Sequence, residues 1–158
     1  MVALETAWPE VATLDRAVLA RLSEANRQAV AMSHVPVLLA SEPELVQNAI
    51  VMAKPAFTAI ATRGDGITIS LHAHRFAHHY PDIPPAQGNR SVRGQKAFVT
   101  QNEAIWSASW IENGTAYDLS VECGARPDPR CDDEDYLLEV AGSLRYVGGR
   151  AHAKEVLP

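Results

Sequence analysis

Residues 104–123, AIWSASWIENGTAYDLSVEC, constrain the fold more than any other part of the chain. Asn113-Gly114 is the pair favoured by a two-residue type I′ turn, in which both central residues need positive φ. A turn there sets Glu112 opposite Thr115. Counting back pairs Trp110 with Tyr117, Ala108 with Leu119, Trp106 with Val121 and Ala104 with Cys123. All of these are apolar or aromatic. The alternate row is much more polar: Ile111 with Ala116, Ser109 with Asp118, Ser107 with Ser120, Ile105 with Glu122. Agreement between turn chemistry and two-residue alternation predicts an antiparallel hairpin with one core face and one exposed or site-lining face. KAFVTQ, just upstream, supplies a neighbouring strand and completes a meander.

A second hairpin is written in AFTAIATRGDGITISLHAH. Its turn centres on Gly64-Asp65 or Asp65-Gly66, and either choice gives the same parity. Thr58, Ile60 and Thr62 then share a face with Ile67, Ile69, Leu71 and Ala73. Phe57, Ala59 and Ala61 share the other with Thr68, Ser70, His72 and His74. Between the hairpins, HHYPDIPPAQGNRSVRG reads as a long loop rich in proline and glycine.

The flanks are helical. Pro9 opens a helix whose apolar positions are Val11, Leu14, Val18, Leu19 and Leu22, and Ser23 caps a further turn. Pro36 ends it, the Val-Leu-Leu run after it reads as a buried strand, and Pro43 starts a brief helix. Trp8 and Met32 read as core plugs. In DDEDYLLEVAGSLRYV, Asp132 and Asp135 have capping-box spacing, and Tyr136, Leu137, Val140, Ala141 and Leu144 form the face that covers the sheet. An EF-hand loop is excluded there, because the central glycine is missing. The expectation is one α+β domain over residues 1–158: a helical part at about 9–48, a mainly antiparallel β part at about 56–123, a closing helix at about 132–145 and a fraying tail at 148–158.

At 158 residues, with 47% hydrophobic and 21% charged residues, the chain has what one domain needs to bury a core. A net charge of -5 with scattered lysines and arginines excludes a nucleic-acid footprint. No run is long and apolar enough for a transmembrane segment. Cys123 and Cys131 are the only cysteines, and CGARPDPRC between them is turn-rich, which favours a disulfide over two free thiols. That places the chain in the periplasm or elsewhere outside the cytoplasm, with a signal sequence removed. The alternative is a cytoplasmic protein with free thiols.

The segments VRGQKAFVTQNEAIWSASWIENGTAYDLSVEC and DDEDYLLEVAGSLRYVGG carry a resemblance. The matching elements are Gly94 before a strand, Trp106 and Trp110 on a strand, Gly114 and Tyr117 after its turn, and a closing helix that ends at Ala141 to Leu144. In these the C-terminal third of the chain resembles a bacterial extracytoplasmic domain of unknown function, found in lipoprotein-like and anti-sigma-factor-like proteins. The resemblance implies an extracytoplasmic location and a role in binding or sensing. Its shared residues determine fold and bring no catalytic group with them.

Function has three readings. The preferred one is a non-enzymatic binding or accessory module acting on a protein or cell-envelope component. Its contact surfaces are the loop from His78 to Arg93, including Tyr80 and Arg93, and the polar hairpin face with Ser107, Ser109, Asp118 and Glu122. The second is a metal-binding protein: His72 and His74 share a strand face, His78 or His79 is a third ligand for zinc or copper, and Asp82 is a fourth. The third is a small hydrolase using Asp118 and Glu122. No G-x-S-x-G elbow, H-E-x-x-H, phosphate loop or dinucleotide fingerprint occurs. Oligomeric state is not legible at this level.

Overall fold

Three tight turns set the register of the central sheet. Asp65 and Gly66, Arg93 and Gly94, and Asn113 and Gly114 all adopt positive φ, the geometry of the type I′ hairpin. In a computed structural model, which describes residues 2–77, 82 and 88–158, these turns join β4 (Phe57–Gly64) to β5 (Ile67–His74), β7 (Arg90–Val92) to β8 (Gln95–Asn102), and β9 (Ile105–Glu112) to β10 (Thr115–Cys123). With β3 (Ala49–Ala53) they form an antiparallel seven-stranded sheet in the order β3-β4-β5-β10-β9-β8-β7. The register read from Asn113-Gly114 holds, Trp110 facing Tyr117, and of the two turn positions open to the other hairpin the chain takes Asp65-Gly66, so that Ile60 faces Leu71.

One face of this sheet is the core. Ile60, Ile69, Leu71, Val99, Ala108, Trp110, Tyr117, Leu119 and Val121 are all buried there. Over it lie α1 (Arg16–Ala20), α2 (Glu24–Met32), α3 (Pro43–Gln47) and α4 (Asp135–Ser143), with a ribbon of β2 (Val37–Ala40) and β11 (Leu144–Gly148). The Tyr117 hydroxyl donates to the Pro36 carbonyl at 2.6 Å, and Ser33 Oγ meets Thr58 Oγ1 at 2.6 Å. These bonds satisfy the polar groups buried between the layers. The fold is therefore α+β, a mainly antiparallel sheet covered on one side.

Several expectations are corrected. The first helix is not continuous. A 3-10 turn at Val11–Thr13 ends at extended Leu14, and Asp15 restarts the helix by accepting the Val18 N–H at 3.0 Å. Met32 is 68% exposed and is no core plug, whereas Trp8 packs against the core. Ala104 does not pair with Cys123. Glu103 and Ala104, both at positive φ, make the β8–β9 turn, and Asn102 pairs with Ile105. The Asp132–Asp135 capping box is not formed; Asp133 Oδ1 accepts the Asp135 N–H at 2.9 Å instead. The closing helix stops at Ser143, and the chain turns extended as β11 against β2. The tail does not fray. It forms α5 (Ala153–Val156), whose Val156 is buried in the core.

Two asparagines close exposed backbone at the sheet edges. Asn26 Nδ2 donates to the Ala49 carbonyl at 2.7 Å and Asn26 Oδ1 accepts the Val51 N–H at 3.1 Å, so the side chain imitates a strand beside β3. Asn89 does the same for Val99 on β8, at 3.1 and 2.9 Å, just past the end of short β7. Unpaired edges are templates for aggregation, and these amides block them. Asn26→Ala is expected to lower stability by about 1–2 kcal/mol, read from the urea midpoint. Asn26→Asp, which retains only the acceptor, should fall in between. A midpoint unchanged in Asn26→Ala would show that water replaces the amide at no cost.

Candidate functional site

Among the described residues, the second face of the seven-stranded sheet carries no helix. Strand alternation places on it Ile50 and Met52 from β3, Phe57, Ala59 and Ala61 from β4, Ser70, His72 and His74 from β5, and Ala116, Asp118 and Ser120 from β10. Beyond these come Ser107, Ser109 and Ile111 from β9, and Phe98 from β8. The floor, from β4 to β9, holds many alanines and serines, with Phe57, Thr68, His72, His74, Asp118 and Glu122 among them. Large apolar side chains are exposed on β3, where Ile50 is 69% and Met52 47% exposed, on β9, where Ile111 is 50% exposed, and on β8, where Phe98 is 37% exposed between Lys96 and Thr100. Five inter-strand steps separate β3 from β8, which sets the margins about 24 Å apart. Isolated exposed apolar residues are ordinary, whereas contiguous patches mark contact surfaces, and on this face the two apolar margins are separated by the floor.

Polar chemistry sits mid-floor. His72 lies opposite Asp118 across β5 and β10, and His74 lies opposite Phe57 across β5 and β4. The His72 and His74 rings are 6.0 Å apart, and the Phe57 ring is 5.9 Å from that of His74. Burial, helped by the neighbouring His72 and opposed by Asp118, pulls the His74 pKa below the ordinary histidine value. His74 therefore stays neutral further into the acid range than a free imidazole does.

The structure brings Ser107, Ser109, Asp118 and Glu122 onto one face, together with His72 and His74. Asp118 and Glu122 are four residues apart along one strand, about 13 Å. That exceeds the separations at which two carboxylates divide acid and base roles across one bond. Tyr80, His78 and His79 lie outside the described residues. Among the described residues, no group of three or more His, Cys, Asp or Glu is placed to hold a metal ion. His72 and His74 thus contribute two imidazoles without a third ligand in that set.

Arg93 is drawn largely into the fold, its side chain 17% exposed. Its guanidinium pairs with both oxygens of Glu112, at 2.8 and 3.2 Å, and Nη1 donates to the carbonyls of Ala141 and Leu144, at 3.3 and 2.7 Å. It clamps the end of α4 to the core side of β9. Cys123 and Cys131 are joined by a disulfide, with Cα atoms 6.2 Å apart. Sequence reasoning missed the margin formed by Ile50 and Met52, because β3 was not read as a strand. Its signal was present: in AIVMA, Ile50 and Met52 alternate with Ala49 and Val51, which are buried.

Fold and face together define the class: an α+β domain with a mostly antiparallel sheet, one broad face of which no helix among the described residues covers. Comparison with protein-family models, curated proteins and solved structures finds no match.

Proposed function

We propose that this domain is a non-enzymatic binding module of an extracytoplasmic compartment, and that it docks a protein partner on the uncovered sheet face. The observation carrying this reading is the set of four large apolar side chains exposed on β3, β8 and β9 of one sheet face, around a floor with many alanines and serines. Short side chains admit close approach of a partner's backbone. Ile50, Met52, Phe98 and Ile111 supply apolar anchors, and Ser107, Ser109, His72 and Asp118 supply hydrogen-bonding groups between them. The partner that fits has apolar side chains at two ends of its contact surface and a polar stretch between.

The compartment is supported by the Cys123–Cys131 disulfide, since such bonds persist in oxidising surroundings. The resemblance of the C-terminal third to extracytoplasmic domains points the same way. No helix among the described residues is long and apolar enough to cross a membrane.

The test uses the variant Ile50→Asp/Ile111→Asp, both positions exposed, so that the fold is retained. In an envelope extract of the source cells, the wild-type protein of 17.2 kDa should sediment within a larger assembly, and the double variant at monomer mass. Equal sedimentation of the two would refute docking on this face. A doubled mass for the purified protein alone would replace the partner with a second copy, and binding to protein-free lipid vesicles would replace it with a membrane surface.

A further inference from the structure

The first residues of the chain build a second concave site, away from the sheet face. β1 (Val2–Ala3) pairs with β6 (Phe76–Ala77), the Leu4 N–H donates to the Arg75 carbonyl at 2.7 Å, and the Ala7 N–H donates to the Asn113 carbonyl at 3.0 Å. The segment crosses the Asn113-Gly114 turn so closely that a Cβ on Gly114 would overlap the Glu5 carbonyl oxygen. Opposite it, the Arg150 N–H donates to the Ser33 carbonyl at 2.8 Å and fixes the start of the C-terminal tail. Between these walls lies a cleft of ≈ 540 Å³, lined by Trp8, His34, Arg75 and Arg150 with Glu5 and Thr6 at its side. This is the size range of small-molecule sites.

The charge of the cleft sets the ligand class. Arg90, Arg93 and Arg130 each pair with a carboxylate. Arg75 and Arg150 form no ion pair among the described residues. Arg75 Nη1 lies 3.4 Å from the Pro55 carbonyl, and Arg150 Nη1 lies 3.4 Å from His34 Nδ1. Two guanidiniums that form no ion pair with the described residues therefore line one cleft, with Glu5 the carboxylate at its side, in a chain whose net charge is -5. Trp8 is held in place, because its ring covers Gly149 where any Cβ would collide with it. Its indole also meets the His152 ring edge-on at 6.4 Å, and His152 Nδ1 is 2.6 Å from the Tyr146 hydroxyl.

We propose that this cleft binds a small carboxylate with a planar apolar body, the carboxylate between Arg75 and Arg150 and the body against Trp8. Guanidinium geometry suits a carboxylate, which it grips with paired N–H donors. Against the two arginines the cleft sets one carboxylate, that of Glu5. The site therefore fits a monoanion better than a phosphate dianion. The carboxylate can belong to a free metabolite or to a polypeptide C-terminus.

The test is an NMR titration of the whole protein at constant ionic strength, following the Trp8 indole N–H, assigned with Trp8→Phe. Benzoate stands for a free aromatic carboxylate, N-acetyl-phenylalanine for a chain terminus, benzamide for the neutral analogue and inorganic phosphate for the dianion. The expected result is a saturable shift with benzoate, N-acetyl-phenylalanine or both, the stronger of the two naming the source. Benzamide should give none, and Arg75→Gln/Arg150→Gln should weaken binding about tenfold or more, with the buried Trp110 indole signal unmoved as proof of an intact fold. No saturation with either carboxylate, an equal response to benzamide, tighter binding of phosphate, or an unchanged curve in the double variant would each overturn the proposal. Because Ile50→Asp/Ile111→Asp leaves the cleft intact, failure of this site and failure of the sheet-face reading are separable.

Discussion

Arg93→Met is expected to lower folding stability by about 3 kcal/mol, although the residue stands at a hairpin turn where most substitutions cost little. Arg93 and Glu112 side chains are only 17% and 13% exposed, so the pair sits largely out of water. Removing the guanidinium strands the Glu112 carboxylate, leaving it the Trp110 indole N–H at 3.3 Å, and strips a donor from the Ala141 and Leu144 carbonyls. Stranded partners, more than the lost attraction, set the cost. Arg93→Met/Glu112→Leu should therefore recover part of the loss, which a double-mutant cycle of urea midpoints would measure. A loss below about 0.5 kcal/mol, the range of ordinary surface substitutions, would mean that Arg93 is not a clamp.

Cys123→Ser/Cys131→Ser is expected to cost about 2.5 kcal/mol, the chain-entropy value for so short a loop. The loop is anchored beyond the sulfurs. The Trp106 indole donates to the Cys131 carbonyl at 3.0 Å, the Gly124 N–H to the Gly66 carbonyl at 2.8 Å, and Arg130 Nη2 to the Asp65 carbonyl at 2.7 Å. Arg130 also pairs with Asp128 at 2.7 Å, and these hydrogen bonds hold the Asp128 carboxyl below the usual range. Breaking the disulfide should thus raise hydrogen exchange at one end of the sheet, in residues 64–67 and 121–124. The centre of β5 and β10 should stay protected. Uniform loss of protection would show that the disulfide supports the whole fold rather than this corner.

The hairpins were legible because local rules agreed: Asn113-Gly114 demands a tight turn that fixes one register, and around Gly64-Asp65-Gly66 alternation fixes which residues share a face, though not which of two turns forms. The failures arose where distant contacts decide. Leu144–Gly148 continues a helical pattern in sequence, yet β2 offers a strand partner and the segment becomes β11. Glu103-Ala104 has no turn signature, and its tight turn is imposed by β8 and β9 on either side. Arg93 looked like a loop cation because nothing local shows that Glu112 and the end of α4 converge on it. Of the candidate site, parity within each hairpin set His72 beside His74, and Ser107 and Ser109 beside Asp118; that the two sets share one face depends on β5 pairing with β10, which no local pattern shows. Nor did parity show that this face is uncovered, because coverage depends on where the helices pack.

The central claim is that the uncovered sheet face is the working surface, and site-specific photo-crosslinking in the source cells tests it most directly. A benzophenone side chain at Ser109, mid-floor, and another at Gln28, exposed on α2 in the helical layer, sample opposite sides of the molecule. The account predicts a discrete crosslinked protein product from position 109, lost in the Ile50→Asp/Ile111→Asp background, and none from position 28. A product from position 28 alone, or a product from position 109 that survives those two substitutions, would contradict it.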